Sequence, residues 1–307
     1  MHVGDRPLKA LGFMLLAQLF FSFNILLLRV TEEFERLGGA TDFKLSPWEP
    51  MLYRSLPMVL WCLHGLWRRP GETLTMREWT WIGARGTAGV LSLTAYYYGV
   101  LHVPLGIASL MSNCSPLYVA LLAVLFTKER LTRLGSWSLF CGFLGVGLVA
   151  LSARASGGSM APLDLLIASL SGPLSALAYL SIRQLKKVRN EQIMLSLGVT
   201  GLILASVMLA IKGAQLPTQI WAQLALVASV PPALAAQECL TRAYRNAPAS
   251  KVAPLQYMGP LFATLLAWLF LNENIPLLAQ GGMALVLMFG MILPYIDAKR
   301  AAERLES

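Results

Sequence analysis

Charge is what this sequence has least of. Only 13% of its 307 residues are Asp, Glu, Lys or Arg, against about 25% in an ordinary soluble domain. Hydrophobic residues make up 56%, and the mean hydropathy is +0.59. A soluble globule of this length lacks the polar residues to cover its cores, and a disordered chain would need low hydrophobicity. Cysteine is sparse too: Cys62, Cys114, Cys141 and Cys239 all sit in apolar runs, and no pair has metal or redox spacing. Three histidines, His2, His64 and His102, form no cluster, so neither a metal nor any other cofactor is expected. The chain has no G-x-x-x-x-G-K-[ST] loop to drive work with ATP, and neither H-E-x-x-H nor G-x-S-x-G. Paired carboxylates on one helix face are also missing, which leaves an intramembrane enzyme without its chemistry. Gly142-x-x-Gly145-x-Gly147 lies inside an apolar run and follows no strand, so it reads as close helix packing.

What is present is a series of apolar segments of about 20 residues, the length that crosses a hydrocarbon core of about 30 Å. Ten can be marked: 8–30, 48–67, 79–101, 104–126, 134–151, 163–182, 191–211, 220–241, 248–271 and 277–296. The first is too long for the apolar core of a signal peptide and lacks a small-residue cleavage site, so it is expected to be retained. The net charge of +9 would suggest nucleic acid in a soluble protein, but here the basic residues cluster in short loops. With the N-terminus inside, 18 Lys and Arg fall on inner segments and four on outer ones, with Arg29, Arg54 and Arg85 left within helices. Basic residues mark the cytoplasmic side. Both termini are therefore expected in the cytoplasm, and an even helix number agrees.

The chain also repeats itself. A shift of 144 residues lays Pro104-(x11)-Pro116-Leu-(x11)-Glu129 on Pro248-(x11)-Pro260-Leu-(x11)-Glu273 without a gap. Nine of the 29 positions from Val103 to Leu131 are then identical. A second match places Arg29 on Arg183. Each half holds five helices, an odd number, so the second half crosses the membrane in the opposite sense. The expected fold is all-α and polytopic: ten transmembrane helices in two inverted five-helix repeats, 8–151 and 163–296. Secondary transporters built this way bind their substrate between the halves near the midplane. Pro116 and Pro260 fall near the middle of helices 4 and 9 as helix breaks, and Pro57, Pro173, Pro231 and Pro232 interrupt others. Each frees a backbone carbonyl, tolerable at membrane depth where protein or a water-filled cavity satisfies it; a packing kink is the plainer alternative.

Ionisable groups inside spans cost about 2.5–3.5 kcal/mol each on insertion scales and need a reason. Arg29, at the outer end of helix 1, can snorkel, and Glu49 can pair with it or be solvated. Arg54 lies about 9 Å deep in helix 2, where it can snorkel, bond to a helix end or hold a ligand. Arg85 in helix 3 and Glu238 in helix 8 fall at similar depth in equivalent helices. They are expected to pair in one state and part in another, leaving Glu238 to bind a proton or a cationic group; a static ion pair is the alternative. Asn24, Tyr97, Asn113, Tyr179, Gln237 and Tyr257 complete the candidate substrate-binding set, each with packing as its alternative role. Of Tyr96, Tyr97 and Tyr98, one or two at most can face inward.

Several motifs carry a family resemblance over nearly the whole length. In the first half they are Leu45-Ser-Pro-Trp-Glu-Pro-Met-Leu-Tyr-Arg54, Arg85-Gly-Thr-Ala-Gly89, and Ser109 to Glu129 with its central Ser-Pro-Leu. In the second they are Ala243-Tyr-Arg-Asn-Ala-Pro-Ala-Ser-Lys-Val-Ala-Pro-Leu-Gln-Tyr257, Pro260 and Asn272-Glu273. Together they resemble the EamA-type members of the drug/metabolite transporter superfamily, and the branch that contains S-adenosylmethionine-type carriers. The resemblance implies a ten-helix bundle with a central cavity for a small organic solute. One departure is the acidic Glu32-Glu33-x-Glu35 run in the outer loop 31–47. The function expected is secondary active transport of a small polar metabolite, zwitterionic or cationic, across the cytoplasmic membrane. Protons are the candidate coupling ion and a homodimer the candidate assembly, with no nucleic-acid partner. A lipid flippase is the alternative, and an enzyme acting on a lipid the weaker one.

Overall fold

The structure, a computed structural model, describes residues 7–39, 45–71, 73–103, 105–118, 161–185, 187–246 and 253–272, with short helical pieces within 137–148 and 277–289. Every regular element among the described residues is helical: α1 (Pro7–Leu37), α2 (Trp48–Arg68), α3 (Met76–His102), α4 (Leu105–Asn113), α5 (Pro162–Gln184), α6 (Asn190–Lys212), α7 (Ile220–Ala228), α8 (Val230–Asn246) and α9 (Met258–Leu271). A 3-10 turn, Ala253–Tyr257, leads into α9. Most of the expected helix 134–151, residues 119–126 of the expected helix 104–126, the end of 277–296 and the loop that holds Lys128, Arg130 and Arg133 lie outside the described residues.

Composition decides which runs become helix, and local chemistry decides where they stop. α3 begins with a capping box: Glu78 N–H donates to the Thr75 hydroxyl, and the Thr75 N–H donates back to the Glu78 carboxylate at 2.8 Å. Those Thr75 bonds hold the Glu78 carboxyl below its ordinary range. α6 ends at Gly213, whose φ of 81° suits a residue without Cβ. The run 220–241 is not one continuous helix. It breaks at Ser229, just before Pro231 and Pro232, which lack the N–H groups that would continue the ladder. Pro260 falls in the first turn of α9 rather than mid-helix, because the chain is wound as a 3-10 turn just before it. Pro116 is buried, two residues past a turn at Cys114 that ends α4.

Among the described residues, the stretches 9–37, 162–182, 190–212 and 220–246 are long and apolar enough to cross a membrane. Their outward faces remain apolar, with Ile203, Ile211, Leu224 and Trp221 exposed, as lipid contact requires. α1 is about 46 Å long at about 1.5 Å per residue and so outruns a hydrocarbon core of about 30 Å.

The helices pack in a recurring pattern. α1 lies along α8, α5 along α3, and α2 along α6, while α1 also meets α9 and α5 meets α4. Small residues bring the axes together. A Cβ on Gly201 of α6 would stand 2.5 Å from the Ser55 hydroxyl of α2, and one on Gly86 of α3 would stand 3.0 Å from the Ser196 carbonyl of α6. Ala10, Met14 and Ala17 of α1 share a core with Leu240, Ala243 and Tyr244 of α8.

Candidate functional site

α3, α5 and α8 bring polar side chains to the centre of this apolar bundle. From α3 come Arg85 and Ser92, from α5 Ser175 and Tyr179, and from α8 Gln237, with Gln18 and Phe21 of α1 closing one side. The chamber they line offers about 50 Å³ to the centres of water molecules, room for a few waters. The Ser92 and Ser175 hydroxyls lie 2.6 Å apart and tie α3 to α5 across the chamber wall. Tyr179 stacks on Tyr244, with ring centroids 5.0 Å apart.

Two arginines dominate the electrostatics, each only 2% exposed. Arg54 donates from Nη2 to Gln237 Oε1 at 2.7 Å and from Nη1 to the Tyr97 hydroxyl at 3.3 Å. Its guanidinium also lies 5.8 Å from the Phe21 ring centroid. Arg54 thus joins α2 to α3 and α8 from behind Gln237, and it does not snorkel. Arg85 faces the chamber directly. Its Nη1 folds over Gly89, where a Cβ would stand only 2.2 Å away. Its Nε has no hydrogen-bond partner, and Arg54 is near enough to add to the positive potential there. Among the described residues no carboxylate forms an ion pair with either arginine.

Glu238 does not supply that carboxylate. It accepts from Arg242 Nε and from Asn190 Nδ2, both at 2.6 Å, and no ion pair joins it to Arg85. The cause is helical geometry: neighbours on a helix point about 100° apart. With Gln237 aimed into the chamber, Glu238 turns to its partner one turn on. It lines a larger vestibule of about 450 Å³, measured as for the chamber, at the end of the bundle that holds the start of α1. Lys9, Arg189, Arg242 and Arg245 stand there against only Glu191 and Glu238.

The other expected residues fall in different places. Asn24 donates to the Ser229 carbonyl at 2.9 Å, capping the break between α7 and α8, while its Oδ1 has no partner. Tyr97 meets Arg54, Tyr96 lines the chamber, and Tyr98 donates instead to Asp164 at 2.7 Å. Tyr257 packs among Val103, Ile107 and Leu110, with its hydroxyl unpartnered. Asn113 ends α4, and its side chain lies outside the described residues. Arg29 donates to the Val103 carbonyl. The two proline motifs meet: Ser115, just before Pro116, donates to Gln256 Oε1 at 2.7 Å, and Gln256 precedes Pro260 by four residues.

The acidic run that departs from the family pattern has a structural use. Glu35 accepts from the Thr218 and Gln219 backbone N–H groups at 2.9 and 3.0 Å, at the start of α7. Glu32 accepts from the Leu45 N–H at 3.0 Å. Glu49 accepts from the Gln215 N–H at 2.9 Å and from Ser46, and is neither solvated nor paired with Arg29. These three carboxylates bind loops to helices at the end of the bundle opposite the vestibule. The residues that sequence reasoning missed are Gln18, Phe21, Ser92 and Ser175. A serine in an apolar helix gives no sign of which way it points, so only the contacts find it.

Fold and site together define a multi-pass helical membrane protein with a small polar chamber at its centre. The chain belongs to the EamA-like transporter family, whose model matches residues 8–151 and 163–293. It is therefore a transporter of the drug/metabolite superfamily. An "Uncharacterized transporter" from Helicobacter pylori is 27% identical over 93% of this chain and 94% of its own. The "Pseudopaline exporter CntI" of Pseudomonas aeruginosa is 28% identical over 90% of this chain and 93% of its own. Neither name supports placement in the S-adenosylmethionine-carrier branch. A solved crystal structure superposes with a TM-score of 0.64 at 19% identity, covering 97% of this chain and 99% of that one, which shows a shared fold.

Proposed function

We propose that this protein is a secondary transporter that carries a small polar organic solute across the cytoplasmic membrane by alternating access, with Arg85, Gln237 and Tyr179 lining its cargo site and Arg54 and Tyr97 supporting the wall behind Gln237. The observation that carries this reading is the central chamber, where buried polar side chains from α3, α5 and α8 converge and where no carboxylate among the described residues pairs with Arg85. Ten transmembrane helices in two inverted halves, 8–151 and 163–296, belong to the same reading. The packing supports the inversion: exchanging each helix for its equivalent turns the α1–α8 contact into α5–α3, turns α1–α9 into α5–α4, and returns α2–α6 to itself. The Ser115–Gln256 bond between the proline motifs fits the same symmetry.

The distribution of basic loops supports cytoplasmic termini, a reading in which the charged vestibule faces the inner side. Glu32, Glu35 and Glu49 tie loops to helices at the opposite end, which supports reading this conformation as the inward-facing arm of the cycle.

The test is untargeted mass spectrometry of medium and cell extract from cells that express the protein or carry an empty vector. A solute that shifts across the membrane only with the protein supports the reading. If nothing shifts, and the purified protein moves labelled lipid between liposome leaflets, the lipid flippase replaces it.

A further inference from the structure

We infer that the cargo bears an oxyanion, a carboxylate or a phosphate, and that Arg85 holds it in the central chamber. The inference rests on the transport reading above and narrows it, since a purely cationic solute is then excluded. Three observations carry it.

First, Arg85 is 2% exposed, and no carboxylate among the described residues pairs with it. A cation kept at membrane depth without a counter-ion is costly and marks a pathway or a ligand site. Second, the described residues that line the chamber include no Asp or Glu, Arg85 is the one charged residue among them, and Arg54 behind Gln237 adds to the positive potential. An amine or other organic cation entering this space meets repulsion and finds no acceptor stronger than a hydroxyl or an amide. An oxyanion meets a guanidinium whose fork matches its oxygens, flanked by the Tyr179 and Ser175 hydroxyls. Third, the vestibule at one end of the bundle places four basic side chains against two acidic ones. A net positive cavity of this kind draws anions toward that end of the protein.

The experiment extends the solute profiling to Arg85→Gln and Arg85→Lys, matched for membrane level. The transported solutes are expected to carry a carboxylate or phosphate. Their flux is expected to fall about 10- to 100-fold in Arg85→Gln, the usual scale for losing hydrogen bonds to a charged group. Arg85→Lys keeps the charge without the fork and retains part of the flux. Carboxylates among the shifted solutes, or phosphate esters, name the source of the oxyanion. Thermal melting of the purified, cargo-free protein guards against a mere folding effect: Arg85→Gln should melt no lower than wild type, because it removes an unpaired buried charge. A melt that falls by many degrees would make Arg85 a structural residue and overturn the inference. So would transported solutes without an anionic group, or undiminished flux in Arg85→Gln; either leaves the transport reading intact. If no solute shifts even with the wild type, that reading falls and the inference with it.

Discussion

Arg54 and Arg85 show how one residue type serves two purposes at similar burial. Arg54 spends both Nη atoms on neutral partners that belong to different helices, so it fastens the chamber wall. Gln237→Leu removes its best acceptor and leaves the guanidinium short of partners. Loss of a hydrogen bond to a buried charge costs about 1.5–3 kcal/mol. The variant should therefore melt at lower temperature in detergent, and an unchanged melt would show that the Arg54–Gln237 bond contributes little. Gly89 works in the opposite direction, by leaving room for Arg85. Gly89→Ala adds a methyl where Nη1 lies, while alanine favours the helix by about 1 kcal/mol. Transport should fall in this variant with no loss in melting temperature, which separates the position of Arg85 from its presence. Much of this site was legible in the sequence as depth. Residue counting puts Arg54, Arg85 and Glu238 inside spans, because 1.5 Å per residue converts position into height. Azimuth was not legible: on helices that are apolar nearly all round, no polar stripe says which side meets a neighbour. Gln237 lines the chamber as expected, while Glu238 beside it lines the vestibule.

At the scale of helices, the sequence marks most elements well, since a run of about 20 apolar residues has few other fates. α2, α3, α5 and α6 begin and end within three residues of the expected spans. The breaks were less legible. Proline announces that the ladder is interrupted but not where the chain absorbs the change, so the turn at Ser229 and the 3-10 turn before Pro260 appear only in three dimensions. α1 was expected to stop near residue 30 but continues to Leu37, because Glu32 and Glu35 find loop N–H groups there instead of water. Contacts between helices depend on glycine. Gly201→Val should force α6 away from α2, since even a Cβ lies 2.5 Å from the Ser55 hydroxyl. Overpacking of this kind costs about 1–3 kcal/mol, and a melting curve measures it. Ser55→Ala in the same chain should restore part of the loss by vacating the contact.

For the whole molecule, the two ends of the bundle differ. At one end Glu32, Glu35 and Glu49 bind loop backbone, and at the other lies the vestibule. A carrier that alternates must release those loop contacts once per cycle. Cysteines at Glu35 and Thr218, in a background without the four native ones, place two thiols where a hydrogen-bonded pair now stands. Oxidation should stop transport and reduction restore it. Unchanged flux in the cross-linked protein would show that this end stays shut throughout.

The fixed charge of Arg85, with no acid among the described residues that line the chamber, bears on how voltage acts on the transport proposed above. The arginine stays with the protein, so a cargo with one net negative charge takes that charge through the membrane field. Inside-negative polarisation then favours exit by about 2.3 kcal/mol per charge per 100 mV, close to a 50-fold gradient without any coupled ion. In liposomes clamped with potassium and valinomycin, flux of such an anion should follow the imposed potential, whereas a zwitterion held by the same arginine should cross at a rate indifferent to it.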